Sequence, residues 1–120
     1  MNDIKLMNKA ADNIRILAAS MVEKAKSGHP GGAMGGADFV NVLFSEFLVY
    51  DPKNPAWEGR DRYFQDPGHM SPMLYSVLAL AGKFTIDELK EFRQWGSVTP
   101  GHPEVNVMRG IENTSGPLGQ

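Results

Sequence analysis

The sequence contains no cysteine, and this absence excludes disulfide bonds, thiolate zinc ligands and cysteine nucleophiles. It also contains no long apolar run, because the longest one, from Val77 to Ala81, is far shorter than the ~20 residues that a membrane-spanning helix requires. The N-terminus has no compact hydrophobic stretch ahead of a small-residue cleavage site, so it does not resemble a secretory signal. Together these absences predict a cytoplasmic protein with no membrane segment.

An excess of positive charge is missing as well. Twelve Lys and Arg residues stand against fourteen Asp and Glu residues, which gives a formal charge of −2. Nucleic-acid binding needs a basic surface that neutralises phosphates, so it is not expected here. With 120 residues, of which 42% are hydrophobic and 22% charged, the chain has a globular composition and the length of one domain or of part of a larger one.

Apolar spacing predicts three helices in the first two thirds of the chain. The first covers residues 3–27, where apolar side chains recur every three or four residues, and Gly28 would end it in the left-handed conformation. The second runs from Ala37 to Tyr50 and is apolar on nearly every side, which predicts burial within a body larger than one helical layer. The third begins with Ser71 as its N-cap and is stopped by Gly82.

A fourth helix is predicted from Ile86 to Trp95. Thr85 and Glu88 have the spacing of a capping box at its start. The residues that the helical period directs inward are Leu89, Phe92 and Trp95.

The remaining segments predict loops and turns. Residues 28–36 contain five glycines and one proline and are predicted to be a loop, because both residue types oppose helix interiors. Residues 62–65 are a candidate short strand ahead of a turn at 66–69, and Trp57 is expected to fold back onto the core. Residues 97–120 contain no periodic run and are predicted to be irregular.

All three histidines directly follow a glycine, in the pairs Gly28-His29, Gly68-His69 and Gly101-His102. Random placement of the glycines would give this pattern roughly once in seven hundred sequences, so a shared purpose is expected. A glycine allows a sharp turn or the close approach of a ligand, and an imidazole exchanges protons near neutral pH. We therefore expect the three rings to surround one pocket. The alternative is that each histidine is a surface residue of a turn.

The spacing of the residues also bears on two other kinds of site. A zinc site of three histidines is not expected, because the short helical spacing of many catalytic zinc sites is missing. The glycines at 31, 32, 35 and 36 are compatible with a phosphate-binding nest at a helix N-terminus or with close backbone packing, and the sequence leaves both open. They match neither the dinucleotide fingerprint nor the lysine-containing nucleotide loop.

A series of short motifs closely resembles the beginning of transketolase, in order and from the first helix to the last residue. The resemblance rests on Lys26-Ser27-Gly28-His29-Pro30-Gly31, Met34-Gly35, Ala37-Asp38, Arg60-Asp61-Arg62, Gly68-His69, Leu74-Tyr75-Ser76, Glu88-Leu89-Lys90, Phe92-Arg93-Gln94, Thr99-Pro100-Gly101-His102-Pro103-Glu104 and Gly116-Pro117-Leu118-Gly119-Gln120. Around the second pair the chain departs from many relatives, since Asp66-Pro67 precedes it and Met70-Ser71-Pro72 follows it.

The resemblance implies a doubly wound α/β fold that binds thiamine diphosphate between two subunits. Residues 1–120 would be the N-terminal, helix-rich part of that domain, incomplete and with few or no strands. His29 would be the catalytic residue that assists proton movement on the donor sugar, and His102 would bind the donor's terminal hydroxyl. His69 would contact the cofactor diphosphate. The segment backing the cofactor would be Gly116, Pro117 and Leu118.

The activity that the resemblance implies is transfer of a two-carbon ketol unit from a ketose phosphate to an aldose phosphate. The cofactors would be thiamine diphosphate and Mg²⁺, with the metal ligands outside these 120 residues. Partners would be sugar phosphates and a second copy of the chain, or a C-terminal partner chain. The isolated chain would be inactive.

Two alternatives accompany this hypothesis. A truncated, catalytically silent chain would act only as a binding or assembly module. The related deoxyxylulose-phosphate synthase shares the glycine–histidine pairs, but the element from Pro100 to Glu104 resembles transketolase more closely.

Overall fold

The computed structural model describes residues 2–118 of the chain. In this range the α-helices are α1 Ile4–Ala25, α2 Gly31–Gly35, α3 Ala37–Val42, α4 Ser71–Leu80 and α5 Ile86–Lys90. α3 continues as a π-helical turn, Leu43–Phe47, and 3₁₀ turns cover Gly68–Met70 and Val107–Arg109. The described residues contain no strand, only an isolated antiparallel bridge between Asn106 and Ile111. The helix-rich, strand-poor architecture expected from the sequence is thus confirmed.

Helix α4 forms the centre of the core. Eight of its ten residues, Ser71 to Leu78, are buried, and its main neighbour is α1. Burial of each large apolar side chain contributes roughly 1.5–3 kcal/mol, so this contact stabilises the helix pair. The residues of α1 that are buried follow the predicted stripe: Ala11, Ile14, Ala18 and Met21.

The ends of α1 are capped by side chain and backbone. The carboxylate of Asp3 accepts a hydrogen bond of 2.9 Å from the backbone N–H of Leu6. At the other end Lys26, rather than Gly28, takes the left-handed capping position with φ 54°, and Gly28 follows with φ 122°. The glycine therefore turns the chain two residues after the helix cap.

The glycine-rich segment corrects the expectation of a loop, because Gly31–Gly35 forms helix α2. Ala33 is fully buried, and a Cβ placed on Gly32 would lie 2.9 Å from Cγ of Met70. A Cβ on Gly36 would lie 2.6 Å from Sδ of Met73. Packing against these methionines overrides the poor helix propensity of glycine, and it favours close packing over the phosphate nest as the reason for Gly32 and Gly36.

Helix α3 and its π-helical turn end at Phe47, and the extended Leu48 follows, so the helix predicted to reach Tyr50 is too long. Burial on nearly every side is not observed within the described residues. Val40 and Phe44 are buried, whereas Phe39 and Phe47 are 64% and 70% exposed. The reason is that α1, α2 and α4 cover only one side of α3.

Two helix boundaries also differ from the prediction. Met70 is the N-cap of α4 and Ser71 is its first helical residue, because the Ser71 hydroxyl donates to a distant carbonyl instead of capping its own helix. The capping box of Thr85 and Glu88 is confirmed, but α5 ends at Lys90. Leu89 and Phe92 are buried as expected, while Trp95 is fully exposed, since the helix has ended before it.

The middle and last segments carry little regular structure. Residues 62–65 do not form a strand, because no neighbouring strand exists among the described residues, and the backbone N–H of Gln65 donates to the side chain of Asn113 at 3.0 Å. Trp57 is 43% exposed and lies over Gly59 rather than over the core. The irregular last quarter is confirmed to residue 118. It is nevertheless anchored by buried Thr99, Ile111 and Ser115. Gly119 and Gln120 of the last motif lie outside the described residues.

Candidate functional site

The first two histidines are in direct contact. His29 lies in the connection between α1 and α2, and His69 lies in the 3₁₀ turn that precedes α4. Their rings meet edge to face, with centroids 4.8 Å apart and an interplanar angle of 80°. Residues forty positions apart in the sequence therefore share one site, because α2 and the start of α4 pack together.

The third histidine has a lowered pKa. Burial lowers the pKa of His102 below its ordinary value of 6.5, and electrostatic interactions with Arg93, His69 and His29 add to this effect. The ring contact that the structure shows is that of His29 with His69, so a common pocket for all three imidazoles stays a prediction. A pKa below 6.5 leaves His102 mostly neutral at pH 7. A neutral ring offers one hydrogen-bond donor and one acceptor.

His69 is joined to the segment that the resemblance singled out. Its Nδ1 donates to the carbonyl oxygen of Pro117 at 2.8 Å, and the backbone N–H of Gly68 donates to the carbonyl of Gly116 at 3.1 Å. The carbonyl acceptor requires the proton on Nδ1, so Nε2 is the ring nitrogen left for another partner. Leu118, next along the chain, is 78% exposed. The structure thus brings His69 together with Gly116 and Pro117.

Each glycine of the three pairs has a structural reason. A Cβ on Gly68 would lie 2.4 Å from the carbonyl oxygen of Gly116, and one on Gly101 would lie 2.9 Å from Nη1 of Arg93. Gly28 has a positive φ, and a Cβ there would lie 3.3 Å from side-chain atoms of Phe92. The glycines at 68 and 101 therefore permit protein segments to approach one another closely. The sequence pattern instead predicted a sharp turn or the approach of a ligand.

Helix α4 holds the loop that carries His102. The Ser71 hydroxyl donates to the carbonyl of Gly101, and the Tyr75 hydroxyl donates to the carbonyl of Pro100, each at 2.7 Å. Burial, with a smaller contribution from Glu104, raises the pKa of the Tyr75 phenol, so the hydroxyl remains a donor. The two donors are one helical turn apart, and together they fix the two residues that precede the histidine.

Sequence reasoning did not single out Ser71, Tyr75 or Arg93 for the site. The signal that was present for the first two is a pair of polar groups four residues apart on a helix that is mostly apolar. Arg93 gave no such signal, because its role depends on loops that come from other parts of the chain.

An open groove of about 680 Å³ borders His102. Its walls come from the segment after α5 and from the loop that carries His102. The residues of the groove that bear charge or a ring are Arg93, Trp95, His102 and Glu104. No three His, Asp or Glu side chains between residues 2 and 118 are grouped so that they could hold a metal ion.

Comparison with known proteins identifies the family. The profile described as "Transketolase, thiamine diphosphate binding domain" matches residues 6–120. The chain belongs to this family. It is 53% identical over 116 residues to a transketolase of Buchnera aphidicola, and 52% identical over 120 residues to the chloroplastic transketolase-1 of Arabidopsis thaliana. These matches cover 96% and 98% of the chain but only 17% and 16% of the two relatives.

Solved structures give the same family. The transketolase of Campylobacter jejuni matches with a TM-score of 0.90 and 46% identity, over 97% of this chain and 18% of that one. A transketolase of Pichia stipitis in complex with sedoheptulose-7-phosphate matches with a TM-score of 0.88 and 44% identity, over 93% of this chain and 17% of that one. The described fold is thus that of the N-terminal part of the transketolase thiamine-diphosphate-binding domain.

The chain spans about one sixth of the length of these relatives. None of the helices among the described residues is long and apolar enough to cross a membrane. Family membership supports thiamine diphosphate as the ligand of the domain.

Proposed function

We propose that this chain forms one wall of a thiamine diphosphate site and that the protein functions in ketol transfer. In that reaction a two-carbon unit passes from a ketose phosphate to an aldose phosphate. The observation that carries the proposal is the contact of His29 with His69, whose ring is bonded to Pro117 in the segment from Gly116 to Leu118, in a chain of the transketolase family.

The described residues are suited to the cofactor in two ways. The bond from His69 to Pro117 fixes the ring, so that Nε2 is its remaining polar atom, and Nε2 can donate to a diphosphate oxygen when it carries a proton. The exposed Leu118 offers an apolar surface to a heteroaromatic ring, and the Gly116 carbonyl offers an acceptor with a second lone pair. When bound, thiamine diphosphate supplies the electron sink for the carbanion that forms as a carbon–carbon bond breaks, which no side chain can provide.

The protein's own part is orientation and proton transfer. We assign to His29 the acceptance of a proton from the sugar hydroxyl beside the bond that breaks, and the return of that proton in the reverse reaction. Such general base catalysis contributes typically 10²–10⁴-fold. His102, neutral at pH 7, would hydrogen-bond the terminal hydroxyl of the donor sugar.

Magnesium, sugar phosphates and a second copy of the chain belong to the same proposal. Mg²⁺ prefers oxygen ligands and would bind the cofactor's diphosphate through residues outside positions 2–118. The Pichia stipitis relatives solved with sedoheptulose-7-phosphate and fructose-6-phosphate support sugar phosphates as the substrate class. Exposed Phe39, Phe47 and Trp95 support coverage of this surface by further protein, as in a dimer.

A cytoplasmic location is also a proposal. A relative from Escherichia coli supports it. The relatives named as chloroplastic, from Arabidopsis thaliana and Zea mays, carry the same domain, so location depends on features other than this fold.

The proposal is tested by grafting residues 6–118 into the Campylobacter jejuni transketolase in place of the matching segment. The graft should transfer ketol units, and His29→Ala in the graft should lower turnover by about 10²–10⁴-fold. Affinity for thiamine diphosphate should change far less. Lys24→Ala, on the exposed face of α1, is the control and should leave turnover unchanged. A His29→Ala graft that keeps its turnover but loses the cofactor would contradict the assignment.

A second measurement addresses the binding-module alternative. The 120-residue chain is titrated with thiamine diphosphate and Mg²⁺ in a calorimeter. No binding is expected, because the described residues contain no group of metal-ligating side chains to hold a diphosphate-bound cation. Micromolar binding would contradict this expectation and favour the module.

A further inference from the structure

Arg93 has a backbone conformation that is unusual for arginine. Its φ is 61°, in the left-handed region that glycine and asparagine adopt most readily. The conformation is held in place because the Arg93 N–H donates to the carbonyl of buried Thr99 at 3.0 Å. A left-handed residue other than glycine costs of order 1–3 kcal/mol, so the surrounding contacts must hold Arg93 in place.

The side chain of Arg93 lies between two of the glycine–histidine pairs. A Cβ placed on Gly101 would lie 2.9 Å from its Nη1 and 3.3 Å from its Cγ. A Cβ placed on Gly28 would lie 3.6 Å from its Cδ. The stem and the guanidinium therefore pack against the residues that immediately precede His29 and His102.

The charge of Arg93 is not neutralised by a neighbour within the described residues. Among the arginines in that part of the chain, it alone has no hydrogen-bond acceptor or ion-pair partner for its guanidinium. The other four donate to carboxylates or backbone carbonyls: Arg15, Arg60, Arg62 and Arg109. The unpaired cation borders the groove that also contains His102.

We propose that Arg93 is a positioning residue that sets the separation of the loops carrying His29 and His102 and keeps a fixed positive charge beside His102. Its importance for ketol transfer rests on the proposed function. Its effect on the pKa of His102 does not rest on the proposed function and can be measured without cofactor or sugar.

Several other groups face His102 and must be distinguished from Arg93. His69 comes from the turn before α4 and His29 from the loop before α2, and both add positive charge. Glu104 lines the same groove and would act in the opposite sense. From α4 the neighbouring donors are the neutral hydroxyls of Ser71 and Tyr75. Arg93 is the permanent cation of this set, because arginine remains protonated at any pH of interest.

The test is a ¹H–¹⁵N NMR titration of the histidine rings in the 120-residue chain. Arg93→Asn keeps a residue that tolerates the left-handed backbone and removes the charge, so the pKa of His102 should rise. Arg93→Lys keeps the charge and should leave the pKa of His102 lowered. The matched control is Arg62→Asn, which removes the same charge from an exposed residue bonded to the carbonyls of Glu58 and Arg60 and should not shift His102.

Salt separates electrostatics from displacement of the loop. Raising the ionic strength from about 0.01 M to about 1 M shortens the Debye length from roughly 30 Å to 3 Å. The difference in the pKa of His102 between the original chain and Arg93→Asn should therefore shrink, because Arg93 is exposed and salt screens its charge.

Three outcomes would overturn the proposal. One is a pKa of His102 that is the same in Arg93→Asn as in the original chain. Another is a shift of this pKa in Arg62→Asn as large as the shift in Arg93→Asn. The third is loss of the fold, seen by circular dichroism, in both Arg93→Asn and Arg93→Gly, since the side chain would then serve only the fold. A graft that fails in ketol transfer while His102 shifts as expected would count against the proposed function alone.

Discussion

Substitution of Gly68 by alanine tests how the histidine cluster is joined to the segment from Gly116 to Pro117. The added Cβ would lie 2.4 Å from the carbonyl oxygen of Gly116 and 2.9 Å from that of Ser115. Both obstacles are backbone atoms, so no flexible side chain can move aside. The backbone of a 3₁₀ turn is open to alanine, and the expected effect is therefore steric.

The magnitude follows from two contributions. Overpacking of a well-filled site costs typically 1–3 kcal/mol. The hydrogen bond from the Gly68 N–H to Gly116, now 3.1 Å long, would be broken or lengthened, which costs about 0.5–1.5 kcal/mol. Gly68→Ala should thus lower the free energy of unfolding by about 2–4 kcal/mol, a large part of the 5–15 kcal/mol typical of a domain.

Urea unfolding followed by circular dichroism measures this change. Gly35→Ala is the matched control, because a Cβ at that position meets nothing within 4 Å, and it should be neutral or stabilising by up to about 1 kcal/mol. In the NMR spectrum, the signals of the His69 ring should also move in Gly68→Ala, as its bond to Pro117 is displaced. A loss below about 0.5 kcal/mol would refute the close approach of these two segments.

Two further predictions concern the loop before His102 and the start of α5. Tyr75→Phe leaves the half-buried Pro100 carbonyl without its donor and should cost about 1–3 kcal/mol in urea unfolding, and an unchanged midpoint would contradict the bond. The guanidinium of Arg109, and then the backbone N–H that completes the capping box, lower the pKa of Glu88 to about 2 from 4.5. The stabilisation from ionised Glu88 is therefore present above pH 4.5 and is lost as the pH falls towards 2. Glu88→Gln should flatten the dependence of the free energy of unfolding on pH in this window. Parallel curves for the original chain and Glu88→Gln would show that the pair of Glu88 and Arg109 contributes nothing.

The helices that were predicted well have their causes within a few residues of sequence. The stripe of α1 and the capping box of α5 depend on neighbours three and four positions apart, which any reader of the sequence can compare. The helix at Gly31–Gly35 could not be foreseen, since its glycines are held by methionines about forty residues later. The premature end of α5 left Trp95 outside the core for a similar reason: residue 93 is bonded to Thr99 instead of continuing the helix.

In the candidate site, too, some features were visible in the sequence and others depended on distant contacts. The three glycine–histidine pairs were visible as a pattern, and the expectation that their rings meet is confirmed for His29 and His69. For His102 it stays a prediction. Roles in catalysis or in binding stay predictions. The groups that hold the pairs were not visible, because Ser71 and Tyr75 bond to carbonyls 30 and 25 residues away.

The sequence by itself determined which residues are chemically able to act and which helices form from local spacing, because those properties depend on side-chain type and on neighbours within one helical turn. Only the tertiary structure decided that His29 meets His69, that Gly32, Gly36 and Gly68 leave room for other segments, and that an arginine stands between two histidine loops. Such contacts depend on distances between residues far apart in the chain, and folding around α4 is what makes those distances short.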